Sequence, residues 1–181
     1  MSQTWWLYLF VVLLFAGSLL SLLRIGEIFP SHAAGNLPFD LQNALTPTEV
    51  YPQLASWTES AHQLYHAFTL IDYAFPFFAG LFIAATAAFA MRVSLPTWYA
   101  ALTRRNLLPV FMFGTAFAWL ENIAALGVIS LYPTELRGLP IVLVLAKQLK
   151  LVCVLSAQAV TLLLLLYAAG NWLTARLRLR R

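Results

Sequence analysis

Four long apolar stretches constrain the fold of this 181-residue chain more than any other feature. They cover about residues 5–23, 64–91, 107–131 and 139–167. A helix needs about 20 apolar residues to cross a hydrocarbon core about 30 Å thick, so each stretch is long enough for one crossing. The sequence therefore predicts an all-α integral membrane protein, a bundle of four spanning helices.

The composition agrees with that class. Hydrophobic residues make up 61% of the chain and charged residues only 10%, against about 25% charged in soluble domains. No Gly/Ser linker or charge block divides the chain, so residues 1–181 are interpreted as a single membrane domain. Its one cysteine, Cys153, excludes an intramolecular disulfide and a paired-cysteine metal motif. No phosphate-binding loop is visible, and no cofactor is predicted.

The arginines predict the orientation, because cytoplasmic segments carry an excess of Lys and Arg. Seven lie after the second stretch or in the C-terminal tail: Arg92, Arg104, Arg105, Arg176, Arg178, Arg180 and Arg181. The other side holds two, offset by five acids: Arg24 and Arg137 against Glu27, Asp40, Glu49, Glu59 and Glu135. We expect a multi-pass protein of a bacterial inner membrane, with both termini cytoplasmic and the loop 25–63 facing outward.

The basic tail should anchor the last helix at anionic headgroups, where each charge contributes about 1 kcal/mol. The net charge of +4 is accounted for by the cytoplasmic segments, so a nucleic-acid partner is not expected. An alternative for the first stretch is a cleaved signal peptide ending near Ser31-His32-Ala33. Its uncharged start and its length favour retention as a packed helix.

The outward loop contains a helix signal. Thr46-Pro47-Thr48-Glu49 has the pattern of a capping box with proline in the first turn. Val50, Leu54 and Trp57 then share one helical face. A short amphipathic helix is predicted here, lying on the membrane surface or over the mouth of the bundle, either as packing or as a lid.

Four ionisable residues lie inside the apolar stretches: Asp72, Glu121, Lys147 and Lys150. A charge at membrane depth costs roughly 3–17 kcal/mol, so such groups are normally paired and often functional. At about 1.5 Å per residue, all four fall about 12–16 Å below the outer boundary. The sequence therefore predicts one layer of two acids and two bases whose formal charges sum to zero.

Further polar residues repeat at helical spacing near Asp72, on what is predicted to be one stripe: His62, His66, Thr69, Tyr73 and Pro76. Pro76 removes the helical hydrogen bond to the Asp72 carbonyl and is expected to kink the helix and open a pocket. His62 and His66 could bind a metal or haem, but a third ligand is not evident. They are better interpreted as histidines at the membrane interface.

These residues define the predicted site. Asp72 and Glu121 are the candidate acid and base. The candidate ligand-binding residues are Asp72, Tyr73, Glu121, Asn122, Lys147, Lys150, His66 and Thr69, with the lysines as anion binders. A purely structural alternative is that the charges only fix helix register, although a register lock needs one pair and this layer holds more.

Several short motifs stand near these residues: Asp72-Tyr73-Ala74-Phe75-Pro76, Gly80-Leu81-Phe82, Leu120-Glu121-Asn122, Tyr132-Pro133 and a lysine early in the last helix. Together, over most of the chain after about residue 40, they resemble a group of small four-helix bacterial membrane proteins without an assigned function. That resemblance implies that the charged layer is a shared feature.

A second set of motifs, Asp40-Leu41-Gln42, Tyr51-Pro52 and Trp57, is similar to the receptor branch of the EXPERA superfamily. This superfamily comprises four-helix sterol isomerases and a sterol-binding receptor. The resemblance implies buried carboxylates that face the cationic centre of a ligand. The chain departs from the pattern in its third helix, and its buried lysines disfavour such a ligand.

Three functional hypotheses follow from the sequence. The first is a membrane protein whose charged layer binds a small amphiphile or lipid, or relays protons, near the outer leaflet. The second is an EXPERA-like isomerase or headgroup-modifying enzyme. The third is an accessory subunit whose charges pair with a partner membrane protein or with a second copy of the chain. Membrane lipids are expected partners in all three.

Overall fold

The computed structural model describes residues 5–178, without the side chains of Ala175 and Arg178. The all-α prediction is confirmed, since this part of the chain has helices and no strand. Its six α-helices are α1 (Trp5–Ile28), α2 (Val50–Ala55), α3 (Glu59–Ser94), α4 (Pro96–Arg104), α5 (Phe113–Leu131) and α6 (Gly138–Arg178). Short 3₁₀ helices occupy Phe29–Ser31, Phe39–Leu41 and Leu108–Met112.

Four of these helical segments, which contain α1, α3, α5 and α6, are long and apolar enough to cross a membrane. Three of them extend beyond the predicted stretches, and the third segment, Leu108–Leu131, coincides with its own. The 36 residues of α3 span roughly 54 Å and the 41 residues of α6 roughly 61 Å. Arg180 and Arg181, on which the predicted membrane anchor partly depends, lie outside the described residues.

Helix α3 lies at the centre of the packing. It contacts α1, α5 and α6, and α5 pairs extensively with α6. The α5–α6 approach is close at Gly114, where a Cβ atom would lie 2.5 Å from Val154 Cγ2. Glycine at this point lets the two helices meet.

The two ends of the bundle differ. We call the end where α1 and α5 finish and α3 and α6 begin the cap end, and the opposite one the far end. Residues 29–57, here named the cap, fold over the cap end. The cap is tied to it by Tyr51 Oη, which donates to the Leu136 carbonyl (3.1 Å), and by Thr58 Oγ1, which donates to the His32 carbonyl (2.9 Å).

An aromatic cluster forms the core beneath the cap. Phe29, Phe39, Trp57 and Tyr65 have ring centroids 4.8–6.0 Å apart, and each is at most 7% exposed. Offset and edge-to-face contacts of this kind are worth about 0.5–1.5 kcal/mol per pair beyond the burial itself. The cap is thus a packed part of the fold.

The predicted helix of the cap is α2. Val50, Leu54 and Trp57 are buried, as their spacing predicts, and they pack on the ends of the long helices. The helix begins at Val50, three residues after Pro47. The predicted capping residues, Thr46 to Glu49, therefore form a separate turn that precedes the helix. Glu49 Oε2 accepts from Thr46 N and Thr46 Oγ1, both at 2.8 Å, and these bonds hold the pKa of the Glu49 carboxyl below its ordinary 4.5.

Pro76 lies within α3, which continues through it from Glu59 to Ser94. Two neighbouring carbonyls gain side-chain donors from α5. Trp119 Nε1 donates to the Tyr73 carbonyl (2.9 Å), and Thr115 Oγ1 donates to the Pro76 carbonyl (2.7 Å). These two bonds fasten α3 to α5 beside the proline, because donors from the neighbouring helix reach backbone acceptors there.

Candidate functional site

The carboxylate of Glu121, on α5, lies between the two lysines of α6. Lys147 Nζ is 3.7 Å from Glu121 Oε1, and Lys150 Nζ forms an ion pair with Glu121 Oε2. Lysines three residues apart share one helix face, so both reach the same acid. The side chains of Glu121 and Lys147 are each 1% exposed. This part of the layer forms as one three-membered cluster.

The cap supplies a further acid that the sequence prediction missed. Asp40 Oδ1 lies 3.9 Å from Lys150 Nζ, and Asp40 Oδ2 accepts from Tyr65 Oη (2.8 Å). Its side chain is 5% exposed. In the sequence it stands in a polar loop, where an acid is expected to face water, and it was counted with the outward charges. The motif Asp40-Leu41-Gln42 was the one signal that singled it out.

Lys147 fastens the cap through main-chain atoms. Its ammonium donates to the carbonyls of Phe39 and Gln42, the second at 3.0 Å. An ammonium has three donors, and here all face the protein: two carbonyls and Glu121. Lys147 is therefore occupied in joining α6, α5 and the cap, and it does not offer the anion-binding group predicted for it.

Asp72 pairs with an amide side chain and not with either lysine of the layer. Asn122 Nδ2 donates to Asp72 Oδ2 at 3.0 Å, and within residues 5–178 no ammonium or guanidinium nitrogen lies within 4.0 Å of its carboxylate. The predicted balance of two acids and two bases also changes. With Asp40 the layer holds three carboxylates and two ammonium groups, a formal charge of −1 when all five are ionised.

The other predicted binding residues lie apart from this layer. Thr69 is buried but donates to its own helix, at the Tyr65 carbonyl (2.9 Å). His66 is exposed and Tyr73 is half-buried. The buried stripe of α3 contains Tyr65, Phe68 and Asp72, one residue before the predicted stripe and so rotated by roughly 100°. The aromatic residues under the cap set this rotation, because burying them outweighs burying histidines.

The histidines do not assemble a metal site. His62 packs against Trp57, with ring centroids 5.7 Å apart. Among the described residues, no group of three or more His, Cys, Asp or Glu side chains could hold a metal ion.

A cavity of about 450 Å³ lies on the far-end side of the charged layer. Residues of α3, α5 and α6 form most of its wall, and Phe15 of α1 closes part of it. Asp72 and Lys150 mark one end, and Thr86 and Leu165 lie towards the other. The 14 residues from Asp72 to Thr86 span roughly 21 Å. The cavity is therefore elongated along the helices, with charged groups at one end.

The cavity wall is otherwise mainly apolar. Its polar members beyond Asp72 and Lys150 are Thr86, Thr115, Gln158 and Thr161. Two of these hydroxyls donate to carbonyls of their own helices, Thr86 to Phe82 and Thr161 to Ala157. Small-molecule sites have this character, with an apolar wall and few polar groups, and volumes of about 300–1,000 Å³.

Only one of the two candidate acid–base residues reaches the cavity. Asp72 lines it, whereas Glu121, Asn122 and Lys147 do not. A molecule in the cavity would meet one carboxylate and the Lys150 ammonium. At this end of the cavity, Asp72 can accept a hydrogen bond and Lys150 can donate one. Glu121 lies outside the cavity wall.

No protein-family model, curated protein or solved structure matches this chain. The resemblances inferred from its motifs stay predictions.

Proposed function

We propose that this chain is an integral membrane protein that binds one small amphiphile or lipid in the cavity between α3, α5 and α6. The apolar part of the ligand fills the cavity, and its polar end lies beside Asp72 and Lys150. The four long helices cross a bacterial inner membrane with both termini in the cytoplasm and the cap outside. The binding site then extends inward from the charged layer.

The exposed surface supports membrane insertion. In the most apolar 18-residue windows of α1 and α6, only 6% of the residues are buried in the protein. Large side chains such as Phe10, Leu20 and Leu163 are more than half exposed. Apolar surface of this extent is unfavourable in water, and a hydrocarbon environment removes the cost.

The observation that carries the binding proposal is the cavity itself. Apolar cavities of this volume are rare in packed proteins, and this one has a carboxylate and an ammonium at one end. A register lock accounts for the cluster around Glu121 but requires no cavity next to it. Binding is favoured over acid–base catalysis because Glu121 does not line the cavity.

Lipid retention tests the proposal. Ala79 lines the cavity, so Ala79→Phe places a ring inside it, whereas Ala74→Phe places the same ring on an exposed part of α3. Native mass spectrometry of gently purified wild-type protein should show a bound small lipid. We expect occupancy at least tenfold lower in Ala79→Phe and unchanged occupancy in Ala74→Phe. Equal retention by both variants, or no bound lipid in the wild type, contradicts the binding function.

The orientation has its own test. Thr48 in the cap and Thr103 in α4 are both exposed. In a Cys153→Ser background, Thr48→Cys should react with a membrane-impermeant maleimide in cells whose outer membrane has been permeabilised, and Thr103→Cys only after lysis. The reverse labelling would place the cap in the cytoplasm.

A further inference from the structure

The cap closes the route from water to the charged end of the cavity. Phe39 is 0% exposed, and the neighbouring Asp40 is paired with Lys150 and Tyr65. The two carbonyls held by Lys147 fix this segment over the layer. A ligand that enters from the cap end would have to break several buried contacts.

The cavity is open along α6. Gln158, Leu162 and Leu165 line it and are also exposed on the outside of the helix, Leu162 to 57% and Leu165 to 38%. Phe15 of α1 stands at the wall with them, although α1 packs chiefly on α3. In the proposed membrane orientation, this opening faces hydrocarbon. The ligand then enters from the bilayer.

Entry from the bilayer restricts the charge of the ligand. Asp72 lies 13 residues from the start of α3, which places it roughly 20 Å along the helix from the cap end. A phospholipid that bound with its headgroup here would have to draw a charged group out of the interface into hydrocarbon, which is costly. A molecule with an uncharged polar end meets no such barrier.

The two charged residues at the cavity end define the polar group that fits. Asp72 Oδ2 accepts from Asn122, and no group within residues 5–178 donates to Oδ1, so this second oxygen can accept a hydrogen bond. Lys150 faces two acids among the described residues, Glu121 and Asp40. Its ammonium has three protons, which leaves one donor for a ligand. A hydroxyl group both donates and accepts, and one hydroxyl satisfies both residues. A carbonyl leaves Asp72 without a donor, and an amine meets the positive charge of Lys150.

We infer that the ligand is an uncharged single-chain lipid alcohol, which enters from the bilayer and places its hydroxyl between Asp72 and Lys150. A volume of about 450 Å³ is in the lower part of the range for small-molecule sites and suits one chain better than two. This inference rests on the proposed binding function, and it adds the chemical class of the ligand.

A matched series of compounds with the same 16-carbon chain tests the class. Purified wild-type protein in detergent is titrated with 1-hexadecanol, 1-methoxyhexadecane, hexadecylamine and hexadecanoic acid, and native mass spectrometry gives each Kd. We expect 1-hexadecanol to bind at least tenfold tighter than each of the other three, because only the alcohol supplies a donor and an acceptor without a charge. In Asp72→Leu the preference for the alcohol over its methyl ether should fall below threefold.

The controls separate this inference from the proposed function. If the amine, the acid or the methyl ether binds as tightly as the alcohol, and Ala79→Phe weakens that binding, the cavity is a lipid site and the alcohol assignment is wrong. If no compound binds, or if Ala79→Phe and Ala74→Phe bind the alcohol equally well, the cavity is not the site and both proposals are wrong. The wild-type series decides the ligand class even if Asp72→Leu does not fold.

Discussion

The cap end and the far end of the bundle are built from the same four helices but are packed differently. At the cap end, the side chains of the aromatic cluster and of most of the charged layer are buried. Towards the far end, burial becomes sparse in α1 and α6. The two buried residues of α1, Leu22 and Gly26, lie in its last two turns, and in the described side chains of α6 after Lys147 only Thr161 is buried.

This difference separates the two tasks of the molecule. The cap end contains the contacts that fix the fold, including buried ion pairs that cost much to break. The far end contains the cavity, where loose packing between helices leaves room for a ligand. Asp72 and Lys150 lie at the boundary, so they belong to the rigid network and also face the cavity. A rigid support for a polar contact is what a selective site requires.

The largest expected effect comes from breaking the buried network. Lys147→Met removes an ammonium that faces Glu121 and donates to two cap carbonyls. The side chains of Lys147 and Glu121 are each 1% exposed. Glu121 keeps Lys150, but the two carbonyls lose their donor and the layer loses one positive charge. Removing one partner from a buried ion-pair network costs up to about 3–5 kcal/mol, so we expect a large fall in the Tm of the detergent-solubilised protein. The matched control is Arg24→Met, which removes an ion pair to Glu27 whose side chains are 81% and 68% exposed and is expected to cost less than about 1 kcal/mol. Similar Tm values for the two variants would remove the distinction between the network and the surface.

The layer was predictable from the sequence to the extent that its members contrast with their surroundings. Asp72, Glu121, Lys147 and Lys150 stand out because they are charged and their neighbours are apolar. Asp40 has polar neighbours, and only the folding of the cap brings it beside Lys150. A long-range contact of this kind leaves no local signal. For the same reason, the sequence could not show that both lysines share one acid.

The helices were predicted well because their apolar stretches determine them, but the direction of the α3 polar face was not. His66, Thr69 and Tyr73 repeat at helical spacing. So do Tyr65, Phe68 and Asp72, each one residue earlier. Which of the two stripes is buried depends on what packs against α3. Here the aromatic residues of the cap pack against Tyr65 and bury the earlier stripe. The cavity was predictable only as a loosening near Pro76, because the space between helices depends on how all their side chains pack.

A smaller effect is expected from single hydroxyl groups at the two ends. Tyr65→Phe removes the donor to Asp40 at the buried cap end, and hydrogen bonds to charged groups contribute about 1.5–3 kcal/mol. Tyr8→Phe removes a hydroxyl that lies 3.1 Å from Thr86 Oγ1 on the exposed far end, and its cost should be no more than about 1 kcal/mol. Chemical or thermal unfolding of both variants measures the difference. A larger loss in Tyr8→Phe would show that α1 stabilises the bundle more than its sparse burial indicates.

The smallest effect concerns the exposed turn of the cap itself. Bonds from the backbone and hydroxyl of Thr46 lower the pKa of the Glu49 carboxyl from 4.5, so this carboxylate stabilises its turn above that pH, and the contribution is lost as the pH falls through the lowered value. In wild-type protein the NMR chemical shift of the Thr46 amide proton should follow the protonation of Glu49, with a midpoint below pH 4.5. In Glu49→Gln this transition should disappear. The Tm of Glu49→Gln at neutral pH should stay close to that of the wild type, because Val50, Leu54 and Trp57 still bury the same surface. A fall as large as that of Lys147→Met would mean that the exposed turn, and not the buried network, holds the cap in place.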